Sequence, residues 1–279
     1  MNAAIRAIVR TCANHSIEAY GIVEGYKGMI DGNIVKLGTK DVSNIIQRGG
    51  TILKSARCKE FRTIEGRAKA FEQIQKIGLD GIVAIGGDGT FNGANQFNKE
   101  HSIPFVGIPG TIDNDLFGTD NTIGYDTALN TVVQAVDKIR DTASSHNRLF
   151  LVEVMGKDAG FIALRSGIGV GAEAILIPET ETLMNELLEK LQNGKSTHKE
   201  SMIVIVAEGD DAGDAYTISK KLENLCPDYD TRVTVLGHIQ RGGNPSAADR
   251  VLASQLGNAA VEALINGNTN VMIGLVNKQ

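Results

Sequence analysis

The sequence predicts an α/β fold: two Rossmann-like lobes with mainly parallel sheets, each a three-layer α/β/α arrangement. Short apolar runs alternate with helical stripes along the whole chain, which is the pattern of parallel strands joined by crossover helices. Two of these runs end at glycine-bearing turns that carry carboxylates, as buried strands do at the carboxyl edge of a sheet. The 279 residues suffice for one large or two medium domains with real cores.

Composition excludes several classes of protein. The net charge of −5 argues against a nucleic-acid or membrane-surface partner, since neither is served by an acidic field. No apolar run approaches the ~20 residues needed to span a bilayer. Cys12, Cys58 and Cys226 are widely spaced without a CxxC pair, so we expect a reducing cytoplasm rather than a disulfide framework or zinc site.

The helices and strands are predicted from apolar periodicity and from end signals. Helices are predicted over residues 1–16, 41–48, 64–77, 126–143, 181–193 and 245–266. Strands are predicted at residues 21–23, in the apolar runs that begin at 82 and 103, and at 149–155, 174–177, 202–207, 231–236 and 271–276. Thr63 can cap the helix that ends at Gly78. The boundary between lobes is expected near the long helix, giving residues 1–124 plus 240–279 and residues 125–239.

The segment Gly86-Gly87-Asp88-Gly89-Thr90 follows the first of the two apolar runs. Its glycines let backbone N–H groups approach an anion, and a helix starting there directs its positive end at the same anion. Asp88 suits Mg²⁺, directly or through water, because magnesium takes few carboxylates and lets phosphates complete its shell. The alternative is a tight turn with a solvated aspartate.

The segment Thr111-Ile112-Asp113-Asn114-Asp115 follows the second apolar run. In an extended segment, Asp113 and Asp115 share a face. One carboxylate can then accept a hydroxyl proton while the other stays near a metal or a cation, as phosphoryl transfer requires. The alternative is a surface turn rich in Asp and Asn.

Four motifs together carry a family resemblance. GGDGT, PGTIDND, the run Asn147-Arg148 before LFLVEVMGKDAG, and TRVTVLGHIQRGGNP resemble the bacterial ATP-dependent 6-phosphofructokinases over essentially the whole chain. The resemblance implies transfer of the ATP γ-phosphoryl group to the 1-hydroxyl of fructose 6-phosphate, with Mg²⁺, in a cytoplasmic homotetramer. It also implies that residues 1–124 plus 240–279 bind ATP and that residues 125–239 bind fructose 6-phosphate and effectors.

Residue roles follow from the resemblance, position by position. Asp113 is the implied general base, Asp115, Thr111 and Lys157 lie beside the transferring phosphate, and Asp88 holds magnesium. ATP contacts are implied for Tyr26, Arg57, Cys58, Gly87, Gly89 and Thr90. Fructose 6-phosphate contacts are implied for Met155, Gly156, Glu208, His238 and Arg241, and from a neighbouring subunit for Arg148 and Arg232. An ADP or phosphoenolpyruvate site is implied for Arg6, Arg10, Arg140, Gly171, Glu173 and Lys199.

Departures from the family pattern leave two alternatives. In pyrophosphate-dependent relatives, bulkier side chains replace Gly89 and Gly110 and fill the space of the nucleotide α-phosphate, so these glycines favour ATP over pyrophosphate. The family's opening strand and first glycine-rich loop are expected ahead of Met1, and its closing helices beyond Gln279. A catalytically impaired homologue that binds sugar phosphate is therefore the second alternative. Lys157 also stands where the family usually has arginine.

Overall fold

The computed structural model describes residues 1–143, 148–196, 201–225 and 230–277. The chain divides into two compact units. The first unit contains Met1–Thr111, Leu116–Gly124 and Asn244–Gln279, and the second contains Ile112–Asp115 and Tyr125–Gly243. Each unit holds parallel strands flanked by helices, which confirms the predicted fold class. Within the described residues, no helix is long and apolar enough to cross a membrane.

The first unit combines a hairpin with a parallel sheet. Its elements are α1 (Asn2–Asn14), β1 (Ala19–Ile22), α2 (Tyr26–Asp31), β2 (Ile34–Leu37), α3 (Ile64–Ile77), β3 (Ile82–Gly86), α4 (Asp88–His101), β4 (Phe105–Pro109), α9 (Ala247–Ile265) and β9 (Val271–Met272). Strands β1 and β2 pair antiparallel. The parallel sheet has the order β3-β4-β9.

Helices cover the parallel sheet of the first unit with two apolar clusters. Val106 and Ile108 of β4 pack with Leu252 and Leu256 of α9 and with the start of α1. Ile82 packs into the other cluster, which residues of α2, α3 and α4 form. Because side chains alternate along a strand, the two clusters lie on opposite faces of the sheet.

A cavity of about 910 Å³ lies inside the first unit. Residues of α1, β1 and β3 line it, including Val9, Tyr20 and Val83. Within the described part of the chain, β1 pairs only with β2, and β3 pairs only with β4. The edge of β3 that faces away from β4 therefore has no described strand beside it. The residues of β3 from Ile82 to Ile85 are half-buried, whereas all residues of β4 are buried. The cavity therefore leaves β3 less well packed than its neighbour.

The second unit has three layers around one parallel sheet of order β6-β7-β5-β8. Its elements are α5 (Tyr125–Ala143), β5 (Arg148–Val154), α6 (Phe161–Gly169), β6 (Ala174–Leu176), α7 (Met184–Ser196), β7 (Ser201–Ala207), α8 (Ala215–Leu225) and β8 (Asp230–Val235). Along β7, Ile203 and Ile205 pack into the cluster that includes α5 and α6 residues. Met202 and Val204 pack into the cluster that includes α7 and α8 residues.

Two element predictions are wrong in the first unit. Residues 41–48 form turns rather than a helix, although Val42 and Ile45 are buried as a helical spacing predicts. Asn44 between them has a left-handed backbone with φ of 54°, which stops a helix from propagating. The last strand is limited to Val271–Met272, because the backbone beyond it bonds to the loop around Asp120 instead.

Candidate active site

The GGDGT segment turns directly from β3 into α4. Gly87 precedes the helix and Asp88 is its first residue. The N–H groups of Thr90 and Phe91 donate to the Gly87 carbonyl at 2.9 and 3.1 Å. No side chain of the described residues caps α4, so its first N–H groups and its positive end are available to an anion. Asp88 is exposed at this end.

The loop after β4 lies beside the loop after β3. The Gly110 N–H donates to the Gly86 carbonyl at 2.9 Å. A Cβ atom at Gly87 would lie 3.7 Å from the Cβ of Thr111. The Thr122 hydroxyl donates to the Thr111 carbonyl at 2.6 Å. Thus Thr111 and the GGDGT segment, both predicted to face phosphate, are neighbours within the first unit.

Tyr26 is hydrogen-bonded to the last residue of the GGDGT segment. Its hydroxyl donates to the Thr90 carbonyl at 2.5 Å, and its ring stacks on Phe61 at a centroid distance of 3.8 Å. Burial raises the pKa of Tyr26 well above its usual range. The other two predicted nucleotide contacts differ in exposure: Arg57 is exposed and Cys58 is half-buried.

The two carboxylates of the TIDND segment belong to the second unit. The segment is not extended as predicted, because Asn114 has a left-handed backbone with φ of 54°. The prediction that Asp113 and Asp115 share a face because the segment is extended is therefore wrong about the backbone conformation. Both carboxylates nevertheless lie within electrostatic range of the Lys157 ammonium. The carboxylate of Asp158, followed by those of Asp115 and Asp113, raises the pKa of Lys157.

The turn after β5 brings several predicted residues together. Glu208 follows β7, and its Oε1 accepts the N–H groups of Gly156 at 3.3 Å and of Lys157 at 2.7 Å. Met155 is buried, whereas Lys157 and Glu208 are exposed. Lys157 also forms an ion pair with Asp158 at 3.2 Å. Met155, Gly156, Lys157 and Glu208 thus share the carboxyl edge of the second sheet.

Gln240, which sequence reasoning missed, connects this edge to the next predicted motif. It is 1% exposed and lies in the 3₁₀ helix Gly237–Arg241. Its Oε1 accepts the Met155 N–H at 3.2 Å, and its Nε2 donates to the Gly237 carbonyl at 3.0 Å. The predicted substrate contacts His238 and Arg241 lie in the same helix and are exposed. A glutamine inside a motif of charged and aromatic candidates gives little sequence signal.

Arg148 and Arg232 lie at the opposite edge of the same sheet. Arg148 begins β5, beside Asp230, which begins β8. The Asp230 carboxylate accepts from Arg148 at 3.0 Å and from Arg232 at 2.9 Å. Arg148 lies six residue steps from the end of β5, and Phe150, the register partner of Arg232, lies four steps from it. Along the sheet, Arg148 is therefore about 20 Å and Arg232 about 13 Å from the Glu208 edge. Within one chain the two arginines are far from the other predicted sugar-phosphate residues.

The residues predicted for an effector fall in both units. Arg6 and Arg10 lie on α1 of the first unit, and Arg140, Gly171 and Glu173 lie in the second. Arg140 donates to the Val170 carbonyl at 2.6 Å, and the Glu173 carboxylate accepts the Ile203 N–H at 2.6 Å. Lys199 lies outside the described residues.

The chemistry of the GGDGT segment fits magnesium that arrives with a nucleotide. The described residues contain no cluster of three or more His, Cys, Asp or Glu side chains able to hold a metal alone. Magnesium bound with phosphates needs only one or two protein carboxylates. Asp88, exposed beside an anion-binding helix end, supplies that kind of ligand.

Comparisons with known proteins agree with these features. The family model described as Phosphofructokinase matches residues 1–264. The ATP-dependent 6-phosphofructokinase of Cytophaga hutchinsonii is 59% identical over 276 residues, 99% of this chain and 84% of that protein. ATP-dependent 6-phosphofructokinase 2 of Bacteroides thetaiotaomicron is 55% identical over 275 residues, 99% of this chain and 84% of that protein.

A solved structure gives the same answer for the fold. The phosphofructokinase of Saccharomyces cerevisiae matches with a TM-score of 0.95 and 37% identity, covering 100% of this chain and 42% of that one. Two bacterial relatives are more than 50% identical in sequence to this chain, and the family model matches most of its length. These findings agree on one family. The chain belongs to the phosphofructokinase family.

Proposed function

We propose that this chain is an ATP-dependent 6-phosphofructokinase, which transfers the γ-phosphoryl group of ATP to the 1-hydroxyl of fructose 6-phosphate. The observation that carries the proposal is the turn from β3 into α4, which places the exposed Asp88 at a helix start beside Thr111. A carboxylate and a helix N-terminus at one point suit a magnesium-bound phosphate, which phosphoryl transfer to an alcohol needs. The names of the relatives supply the substrate pair.

In the proposed reaction, Asp113 accepts the proton of the sugar 1-hydroxyl. The oxygen then forms a bond to the γ-phosphorus of ATP, and the bond to the β-phosphate oxygen breaks to release ADP. Lys157 balances the negative charge near the transferring group, and the carboxylate of Asp158, followed by that of Asp115, raises the pKa of this ammonium. Thr111 is assigned to the phosphate side of the reaction.

The first unit supplies the proposed nucleotide site. Backbone N–H groups at the start of α4, with Gly87, Gly89 and Thr90, hold the ATP phosphates. Asp88 holds the magnesium ion, which neutralises phosphate charge when bound. The proposed ATP-binding lobe is residues 1–124 plus 240–279, and the proposed fructose 6-phosphate and effector lobe is residues 125–239.

The sugar phosphate is proposed to be bound by two subunits. The residues proposed to contact the sugar from one subunit are Met155, Gly156, Glu208, His238 and Arg241. Because Arg148 and Arg232 lie at the other edge of the sheet, a neighbouring copy contributes them to the 6-phosphate, for which arginine is well suited.

The proposed homotetramer is supported, as far as association is concerned, by an exposed apolar face of α6. Phe161, Leu164 and Ile168 form one stripe of α6 and are 42%, 38% and 66% exposed. Residues at this spacing share a helix face, and an exposed apolar stripe favours association.

ADP or phosphoenolpyruvate is proposed to bind near Arg6 and Arg10, and the enzyme is proposed to act in the cytoplasm.

The direct test is the variant Asp113→Asn, assayed with fructose 6-phosphate and ATP. We expect kcat to fall by about 10²–10⁴-fold, because the amide cannot accept the proton, while the KM values change little. Asp126→Asn is the matched control, since Asp126 lies in the first turn of α5 of the same unit and should leave kcat unchanged. Equal turnover by both variants would remove Asp113 from the mechanism.

Pyrophosphate in place of ATP is the second arm of the same assay. We expect turnover with ATP and none with pyrophosphate, because a Cβ atom at Gly89 would meet no heavy atom within 4 Å, which leaves room for a nucleotide. Turnover with pyrophosphate and none with ATP would show that pyrophosphate, not ATP, is the phosphoryl donor. Fructose 6-phosphate binding without turnover by the unmodified chain would mark it as an impaired homologue.

A further inference from the structure

The turn that joins β5 to α6 has a strained backbone. Lys157 has a φ of 56° and Gly156 a φ of 151°. A left-handed backbone is uncommon at a residue with a side chain and persists only where the surroundings impose it. Two consecutive N–H groups, those of Gly156 and Lys157, point to one carboxylate oxygen of Glu208, at 3.3 and 2.7 Å. Such paired N–H groups form a concave anion site, and here the protein's own carboxylate occupies it.

The segment after β7 holds this turn from a second direction. The Glu208 N–H donates to the Val154 carbonyl at 3.0 Å, which ties Glu208 to the end of β5. A Cβ atom at Gly209 would lie 2.2 Å from the Lys157 carbonyl oxygen. The Gly209 backbone therefore packs directly against the turn, and any side chain there would displace Lys157.

The position of the turn matters because it carries Lys157. The Lys157 ammonium pairs with Asp158 at 3.2 Å and is also within electrostatic range of Asp115 and Asp113, the companion of the proposed base and the base itself. A shift of the turn would move this charge relative to both carboxylates. Misplacement of a catalytic group by about 1 Å can cost on the order of 10²-fold in rate.

We propose that Glu208 is a positioning residue: through the N–H groups of Gly156 and Lys157 it fixes the turn that sets the Lys157 ammonium relative to Asp113 and Asp115. The inference rests on the proposed function and adds a role distinct from direct contact with the sugar. In this role Glu208 acts through one carboxylate oxygen, Oε1, which needs no contact with substrate.

The kinetic test compares Glu208→Ala with Glu208→Gln. The amide oxygen of glutamine can still accept both N–H groups, whereas alanine leaves them without this partner. We expect Glu208→Ala to lower kcat by up to about 100-fold and Glu208→Gln to restore most of kcat, whereas loss of a sugar contact alone would raise the KM for fructose 6-phosphate and leave kcat unchanged. A raised KM with unchanged kcat in both variants would show a sugar ligand and overturn the proposal.

Amide hydrogen exchange tests the turn without any substrate. In Glu208→Ala, the amides of Gly156 and Lys157 should exchange faster than in the unmodified chain. Glu153→Ala is the matched control, because the Glu153 carboxylate accepts the Ala215 N–H at 2.9 Å. It should accelerate exchange at Ala215 and leave both kcat and the turn unchanged.

A second perturbation makes the test independent of the Glu208 side chain. Gly209→Ala should also lower kcat with little change in KM, because the added methyl group displaces the Lys157 carbonyl. Unchanged exchange at Gly156 and Lys157 in Glu208→Ala would overturn the proposal even if turnover fell. Absence of turnover in the unmodified chain would instead count against the proposed function, since the exchange result stands without it.

Discussion

At the scale of single residues, the carboxylates of Asp115 and Asp113 lie within electrostatic range of the Lys157 ammonium, which pairs directly with Asp158. The sequence indicates Asp113, Asp115 and Lys157 as residues of one reaction. Their roles remain predictions. The backbone at Asn114 and Lys157 is left-handed. Asparagine tolerates this conformation, in agreement with the surface-turn alternative, whereas no residue pattern indicated it at Lys157. The hydrogen bonds of Glu208 hold the turn at Lys157, and such bonds join residues far apart in sequence.

Gly89 gives a prediction at this scale. An aspartate here would sit in the first turn of α4, where a negative charge favours the helix, and a Cβ atom would meet nothing within 4 Å. The fold should therefore keep its melting temperature. The new charge would repel the ATP phosphates, so Gly89→Asp should raise the KM for ATP by about tenfold or more.

Steady-state kinetics with varied ATP and a thermal melt separate the two effects in Gly89→Asp. Gly89→Ala is the control, with a similar melting temperature and a smaller change in KM. An unchanged KM for ATP in the aspartate variant would mean that Gly89 does not lie at the nucleotide phosphates.

At the scale of elements, end signals predict well where they are local. The Thr63 hydroxyl accepts the Gly66 N–H at 3.0 Å, and α3 ends at Gly78 with φ of 74°, as the sequence predicts. The segments at 41–48 and 271–276 were wrong because their apolar spacing reports burial and not backbone conformation. In the first segment, turns bury the apolar side chains. In the second, the backbone is hydrogen-bonded to a loop that is distant in sequence, and a local pattern contains no information about that loop.

The contact between α3 and α4 gives a prediction at this scale. Arg67 donates to both carboxylate oxygens of Glu100, at 2.6 and 2.7 Å, and the Arg67 side chain is 7% exposed. These bonds lower the pKa of Glu100 to about 2. Glu100→Gln leaves a buried guanidinium without its carboxylate and should reduce the unfolding free energy at neutral pH by about 3 kcal/mol.

The pH dependence of this effect has a defined sign. The folded pKa of Glu100 lies below its ordinary value of 4.5, so the contribution is fully present above 4.5 and is lost as the pH falls from there toward 2. Denaturant unfolding of both proteins at several pH values should show the difference shrinking over that interval. Glu60→Gln is the control, because the Lys69–Glu60 pair is exposed and should give no measurable change. A difference independent of pH would contradict the assignment.

At the scale of the whole molecule, the sequence predicts the α/β class and two lobes because alternation of strands and helices is repeated along the chain. It did not predict the cavity in the first unit, since cavities depend on packing between distant elements. The separation of Arg232 from the Glu208 edge has a consequence at this scale. If a neighbouring subunit supplies Arg232, then two inactive variants can repair each other.

We expect a mixture of Asp113→Asn and Arg232→Ala subunits to be more active than either variant alone. In a symmetric interface formed from equal amounts of the two variants, about a quarter of all sites combine an intact Asp113 with a partner's intact arginine. Co-refolding the two variants and assaying turnover measures this recovery. The control mixes Asp113→Asn with Lys157→Ala, whose defects lie in the same unit of one chain and cannot be repaired by exchange. Equal recovery in both mixtures, or none in either, would contradict a shared sugar-phosphate site.

The charged edge strand β8 bears on how this protein behaves at high concentration. Strand β8 lies at one edge of its sheet and carries Asp230 and Arg232. Charged edge strands discourage pairing with strands from other molecules. Aggregation on storage should therefore not begin at β8.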